Sequence, residues 1–292
     1  MPPKFYEFFS QIRLISKIRQ YVYLLPLSLV LVGCALSPKN NDARNASDVL
    51  LAHQFVAVEA GLTSQPPGER SLVFVGSAQH SQSLAFQRDV LLVEQRLRAI
   101  NPRLQSIILS NQQASTLTYP FATIDTLNHT FKQLAKWSEK YPLTLVILIT
   151  THGNVDVLSS NIANEHFPPV RSGNLRGWLD TLGDTPTTVI LSACFSGSFM
   201  PMITEKPRVI LTSAAANRSS FGCNYGSDNT YFISALFGDD FDAGKTWNAN
   251  FDAARSAIEK REQAMRFAPP SNPQRYIPVN LEDKAIAELL KP

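Results

Sequence analysis

"LTLVILIT" (143–150) runs straight into "THG" (151–153). Six of its eight residues are large and apolar, so the stretch has no polar face to offer water. A run of that kind predicts a strand covered on both sides, which is how parallel sheets are buried between helices. Four other runs share the pattern: "SLVFVG" (71–76), "LQSIILS" (104–110), "TTVILSA" (187–193) and "RVILTSA" (208–214). The segments between them carry apolar residues at helical spacing. Residues 84–99 place Leu84, Val90, Leu91, Val93 and Leu97 this way, and residues 122–139 place Ile124, Leu127, Phe131 and Leu134. Further helices are expected over 172–182, 229–237 and 246–266, the last capped by Thr246 or Asn248. Strand–helix alternation predicts an α/β domain over 71–292, with a mostly parallel central sheet and helices on both faces.

The N-terminal part is of another kind. Lys4, Arg13, Lys17 and Arg19 precede an apolar run from Tyr21 to Val32, interrupted by Pro26 and ending in "LVGC" (31–34). The run is short for a bilayer span, which favours an export signal, with an uncleaved anchor as the alternative. Residues 1–33 hold those four basic residues and one acid, Glu7, which is the whole net charge of +3. The remainder is formally neutral and gives no electrostatic case for a nucleic-acid partner. Polar residues 37–46 read as a tether, and 49–61 as a short amphipathic helix carrying Leu50, Leu51, Phe55 and Val58.

Two strand ends carry chemistry. The 143–150 strand delivers His152 and Gly153; the 187–193 strand delivers Cys194 in "LSACFSGSFM" (191–200). One crossover between parallel strands places their ends side by side at the carboxyl edge, where open α/β folds hold their sites. A cysteine at a strand end is most often a packing residue. The matching His-Gly makes Cys194 a candidate nucleophile and His152 its acid/base partner. The amides of Gly153 and Cys194 are candidate oxyanion-hole donors. Small residues after Cys194 allow close approach of backbone and substrate.

"VILITTHG" followed by "VILSACFSGSFM" resembles the legumain family of cysteine peptidases, which includes the catalytic subunit of the glycosylphosphatidylinositol transamidase. "TSAAANRSSFGC" (212–223) and "TYF" (230–232) extend the likeness, which spans about 71–240 and is nearest to bacterial lipoprotein members. The resemblance implies a caspase-like three-layer sandwich, a Cys194 acyl-enzyme, a peptide or protein substrate, and no metal or organic cofactor. "LVGC" resembles a lipobox, which implies cleavage before Cys34, a lipid on Cys34, and a place at the periplasmic face of the outer membrane, since Ala35 is not an acid. Residues 1–33 are then a signal peptide and 34–70 a lipidated tether with a short helix. Cys194 and Cys223 could pair in an oxidising compartment; the resemblance favours a free structural thiol at Cys223.

The family's asparagine pocket uses an arginine and two acids, and here the motif alignment puts Ala85, Ser192 and Ser234 at those places, with Arg88 near the first. Ser219 and Ser220 keep the pocket wall. A pocket stripped of charged partners loses discrimination for an amide, so strict asparaginyl specificity is not expected. His53, His80, His129 and His166 have no metal-ligand spacing, and "GSAQHSQS" (76–83) is not a phosphate loop. Asp239, Asp240 and Asp242 read as a solvated turn, and Asp156 and Glu165 have no assigned role. Two other functions compete with a peptidase: a transpeptidase on the same site, and a catalytically idle envelope lipoprotein that binds a partner. Oligomeric state has no signature in the sequence.

Overall fold

All eight residues of the 143–150 run are buried, and the reason is visible on both sides of it. Leu145, Ile147 and Ile149 join one apolar cluster, while Val146 and Leu148 join another on the opposite face. The computed structural model describes residues 38–112, 117–204, 207–224 and 226–291. The chain runs α1 (Pro38–Thr63), β1 (Ser71–Ala78), α2 (Leu84–Ile100), β2 (Gln105–Ser110), α3 (Ile124–Lys140) and β3 (Leu143–Thr150). A small ladder follows: β4 (Gly153–Asn154), β5 (Val157–Ile162) and β6 (Glu165–Val170). Then come α4 (Ser172–Asp180), β7 (Thr187–Ser192), α5 (Met200–Ile203), β8 (Val209–Thr212) and α6 (Tyr231–Phe237). The described chain closes with α7 (Trp247–Ala264), β9 (Gln274–Tyr276) and α8 (Ile286–Leu290).

The central sheet has the order β2-β1-β3-β7-β8-β9, parallel except for β9. One face is covered by α1, α3, α4 and α5, the other by α2, α6, α7 and α8. This is the three-layer α/β arrangement expected from the alternation of apolar runs and helices. β4, β5 and β6 form a separate antiparallel sheet. Sequence reading missed it because β6 is "EHFPPV", whose Pro168 and Pro169 argue against a strand interior and fit an edge.

The expected tether is corrected. Residues from Pro38 onward are helical, so α1 is 26 residues long rather than a short helix behind a flexible linker. Proline is at home in the first helical turn, where its missing N–H costs nothing. The polar residues after it find partners: Arg44 pairs with Glu165 at 2.5 Å, and Ser47 Oγ accepts the Phe121 N–H at 2.8 Å. The earlier part of the expected tether, and the expected signal segment before it, lie outside the described residues. Among the described residues, no helix is long and apolar enough to cross a membrane.

α1 also closes a sheet edge. The Gln54 amide accepts from the Ile108 N–H at 2.9 Å and donates to the Ile108 carbonyl at 3.1 Å, as a neighbouring strand would. An unpaired edge strand is a template for association, and this contact blunts it. Gln54→Ala is expected to lower stability by about 1 kcal/mol and to raise the tendency to aggregate, read by thermal unfolding and light scattering. An unchanged melting curve would count against the role given to Gln54.

Candidate active site

The parallel register of β3 and β7 sets Thr150 opposite Ser192. The ladder continues one step further, with the Thr151 N–H donating to the Ser192 carbonyl at 3.0 Å. His152 and Cys194 are each two residues beyond a paired position, so they emerge at the same height on adjacent strands. Gly153 then lies against the cysteine. A Cβ there would be 2.4 Å from the Cys194 carbonyl oxygen and 3.0 Å from the Ala193 Cβ, so only glycine allows this approach. Ser159 N–H donates to the His152 carbonyl at 2.9 Å, and Thr151 Oγ1 donates to the Ser159 carbonyl at 2.7 Å. The β4–β5 hairpin therefore fixes the histidine's backbone.

The His152 ring is held edge-to-face on two sides. His80 is 4.4 Å away at 87° and Phe86 is 5.1 Å away at 84°, centroid to centroid. Burial holds the His152 pKa below its ordinary value of 6.5, which favours the neutral imidazole. His80 is pushed down to about 4, first by burial and then by repulsion from His152 and His166.

Cys194 is half-buried, and its sulfur faces Ser220. Ser220 N–H donates to Sγ at 3.3 Å, Ser220 Oγ is 3.8 Å from it, and Sγ–H points to the Ser220 carbonyl at 3.5 Å. The chain turns sharply after the cysteine: Phe195 has φ 59°, a left-handed conformation that a bulky residue adopts only when its surroundings impose it. Here the Phe195 N–H is bound to the Arg218 carbonyl at 2.7 Å, and Ser213 Oγ bonds both the N–H and the carbonyl of Ala193. Gly197 serves a backbone contact, since a Cβ would be 2.7 Å from the Ala216 nitrogen and 2.8 Å from the Ala214 carbonyl.

The structure thus brings His152, Gly153, Cys194 and Ser220 together, with Ser219 exposed next in the chain. Ser192 sits behind them, 1% exposed. Ser234 is half-buried in the first turn of α6. Ala85 is buried, and Arg88 points outward to pair with Asp228 at 2.5 Å. Asp156 caps α4, its carboxylate accepting the Ser172 N–H at 2.8 Å, which with Arg171 keeps its pKa low. Cys194 and Cys223 are both free thiols.

Two residues at this edge escaped sequence reasoning. His80 follows the end of β1 by two residues, so the strand-end argument used for His152 applies to it equally. Asp89 lies on the buried stripe of α2 with Phe86, Val90, Val93 and Leu97, where an acid is out of place. It is fully buried. Its Oδ1 accepts from the Thr230 N–H at 3.0 Å and Asn229 Nδ2 at 3.1 Å; its Oδ2 accepts from Thr150 Oγ1 at 2.9 Å and Thr230 Oγ1 at 2.8 Å. Burial outweighs these donors and pushes the pKa up to about 7. Thr230 Oγ1 also lies 3.0 Å from Ser192 Oγ. When Asp89 is ionised it can only accept, so Thr230 then spends its proton on Asp89 and Ser192 donates to Thr230.

A parallel sheet sandwiched by helices, with a His-Gly and a cysteine at adjacent strand ends, defines a caspase-like fold. Residues 142–281, from just before β3 to beyond β9, match the Peptidase C13 family. That family is the legumain family of cysteine peptidases, and this segment of the chain is what resembles it. The match covers both His152 and Cys194, while α1, β1, α2, β2 and α3 precede it. No curated protein matches the chain.

The buried acid and the buried histidine have opposite effects on stability over one pH window. Asp89 binds its proton more tightly in the folded chain (about 7 against 3.8), so its stabilising contribution is full below about pH 4 and is lost as pH rises through about 7. His80 binds its proton less tightly when folded (about 4 against 6.5), so its contribution is full above about pH 6.5 and is lost as pH falls through about 4. Each is on the order of 3 kcal/mol, and His152 adds in the sense of His80. The parent is therefore expected to melt at nearly constant temperature across this window. Asp89→Asn should become more stable with rising pH, and His80→Phe less. Parallel curves for all three proteins would refute the opposition.

Proposed function

We propose that this chain is a lipid-anchored cysteine endopeptidase working through a thioester on Cys194. The observation that supports this most is the packing of Gly153 on the Cys194 carbonyl, which joins the His-Gly turn to the nucleophile's strand. Neutral His152 takes the thiol proton as Sγ attacks the substrate carbonyl. The oxygen that becomes negative is received by the amides of Gly153 and Cys194. The imidazolium then protonates the departing amine, which leaves a thioester. In the second half, His152 activates water, the thioester opens, and the acid product leaves with the thiol restored.

On the family's pattern, Ser219 and Ser220 would wall the substrate pocket beside Cys194, with Ser234 in the first turn of α6. Ser192 takes the place of an acid and is hydrogen-bonded to Thr230, while Arg88 is engaged by Asp228. This is a neutral pocket that does not require asparagine before the scissile bond. Cys34 carries the lipid, which holds the domain at the bacterial envelope, on the periplasmic face of the outer membrane. The domains run as a signal over 1–33, a lipidated lead-in with α1 over 34–70, and the peptidase over 71–292.

Cys194→Ala is expected to abolish hydrolysis of a peptide library that the parent cuts after several residue types. His152→Ala should reduce it by roughly two to four orders of magnitude, with both variants folded. Full activity in Cys194→Ala, or exclusive cutting after asparagine by the parent, would contradict the corresponding part of the reading. For the anchor, Cys34→Ser should accumulate as a longer precursor that takes up no labelled fatty acid. Labelling equal to that of the parent would remove Cys34 from the account.

A further inference from the structure

We propose that Asp89 is the positioning residue of the Cys194–His152 pair, its carboxylate clamping the ends of β3 and β7 and the start of α6 at a fixed mutual height. The consequence for turnover rests on the peptidase reading; the geometry does not.

Asp89 contacts neither the thiol nor the imidazole by any hydrogen bond described above. It acts one step behind them. Thr150, bound to Oδ2, is two residues before His152. Ser192, linked through Thr230, is two residues before Cys194. Thr150 and Ser192 are themselves partners in the sheet. The same carboxylate holds the N–H and hydroxyl of Thr230, the residue that caps α6, and the side chain of Asn229. That end of the chain leads back to Ser220 on the sulfur, since the Tyr231 N–H donates to the Phe221 carbonyl at 3.1 Å. One side chain thus fixes three of the pieces that surround the reacting atoms. A misplacement of about 1 Å in such a constellation costs on the order of 100-fold in rate.

The ionised form is the one this cage fits. Four donors meet two oxygens that can only accept. A proton on Oδ2 must itself be donated, so at least one threonine hydroxyl has to turn away or be turned round. The clamp therefore tightens as Asp89 loses its proton. The titratable groups around it are few. Cys223 faces it from the segment before α6, its thiol pushed up to about 11 by burial, by Cys194 and by Asp89 itself. His152 and Cys194 stand beyond the ends of β3 and β7. On the outer side, Arg88 and Asp228 form an exposed pair. No cationic side chain is among the hydrogen-bond partners of Asp89 described here.

The test is the rate at which iodoacetamide alkylates Cys194 in the full chain, followed against pH by mass spectrometry of the Cys194 peptide. It reads the thiol's environment without requiring any peptide substrate. In the parent, a step to faster alkylation is expected near neutrality. In Asp89→Asn the amide can still accept from the Thr230 N–H and Asn229 and can donate to the two threonines. The chain should stay folded and lose the step, with the rate above neutrality down on the order of 10-fold. Thr150→Val removes one donor at constant volume, destabilises the carboxylate, and should move the step to higher pH, which a packing role alone would not do. A parental curve in Asp89→Asn, or a parental step that slows alkylation, overturns the proposal, because repulsion of the thiolate by a nearby carboxylate acts in that opposite sense. If Asp89→Asn does not fold, an unmoved step in Thr150→Val overturns it equally. A parent that shows the step but hydrolyses no peptide would instead count against the peptidase reading and leave the clamp in place.

Discussion

The pairing of β3 with β7 in a register that sets Thr150 opposite Ser192 is the constraint on which the rest depends. Register in a sheet is fixed wherever side chains are buried, since a slip of one residue sends every side chain to the other face. Here both faces of both strands are buried, so the penalty for a slip applies to every position. The apolar residues of the strands thus determine where His152 and Cys194 stand relative to each other, although neither belongs to the core. Gly153 completes the arrangement by allowing the two strand ends to touch.

That arrangement is built over polar groups that the fold would be cheaper without. A carboxyl at about 7 and an imidazole at about 4 are both held away from the values they take in water. Burial opposes charge in each case, and the hydrogen bonds offered to Asp89 recover only part of the loss. The folded chain is most comfortable with Asp89 protonated, while the donors around it suit the ionised form. Such conflicts concentrate where a structure is organised for chemistry rather than for stability. The left-handed Phe195 beside Cys194 belongs to the same group.

The parallel strands were legible because they are apolar runs, and β3 was found to the residue; the antiparallel β9, three polar residues long, carried no such signal. The site was legible in outline because a His-Gly and a cysteine at parallel strand ends are brought together by topology alone. The reading failed where local composition and tertiary context part. The polar start of α1 resembles a linker, yet partners on β6 and before α3 make it a docked helix. The prolines of β6 hid a strand that needs no N–H on its outer side. Asp89 gives no apolar signal in the sequence, yet its spacing from Phe86 and Val90 puts it among the buried positions of α2. His80 was set aside for lacking metal-ligand spacing, a question that did not bear on a ring packed against another ring. Ser192 was a candidate for contact with substrate by alignment, and only the hydrogen-bond network shows that it is tied to Thr230.

The two free thiols show how environment divides one residue type into two behaviours. Cys194 ends a strand at an open edge, with a backbone N–H donated to its sulfur, a contact that favours a thiolate. Cys223 packs against the core cluster under α2 and α6, with its pKa at about 11, and remains a thiol at neutral pH. Disulfide exchange and formation proceed through the thiolate. A neighbour that cannot ionise neither attacks an oxidised Cys194 readily nor competes with it for an electrophile. Asp89 contributes to that inertness, because its negative charge is among the causes that raise the Cys223 pKa. The buried carboxylate that ties the strand ends together therefore also keeps the second cysteine silent beside the first.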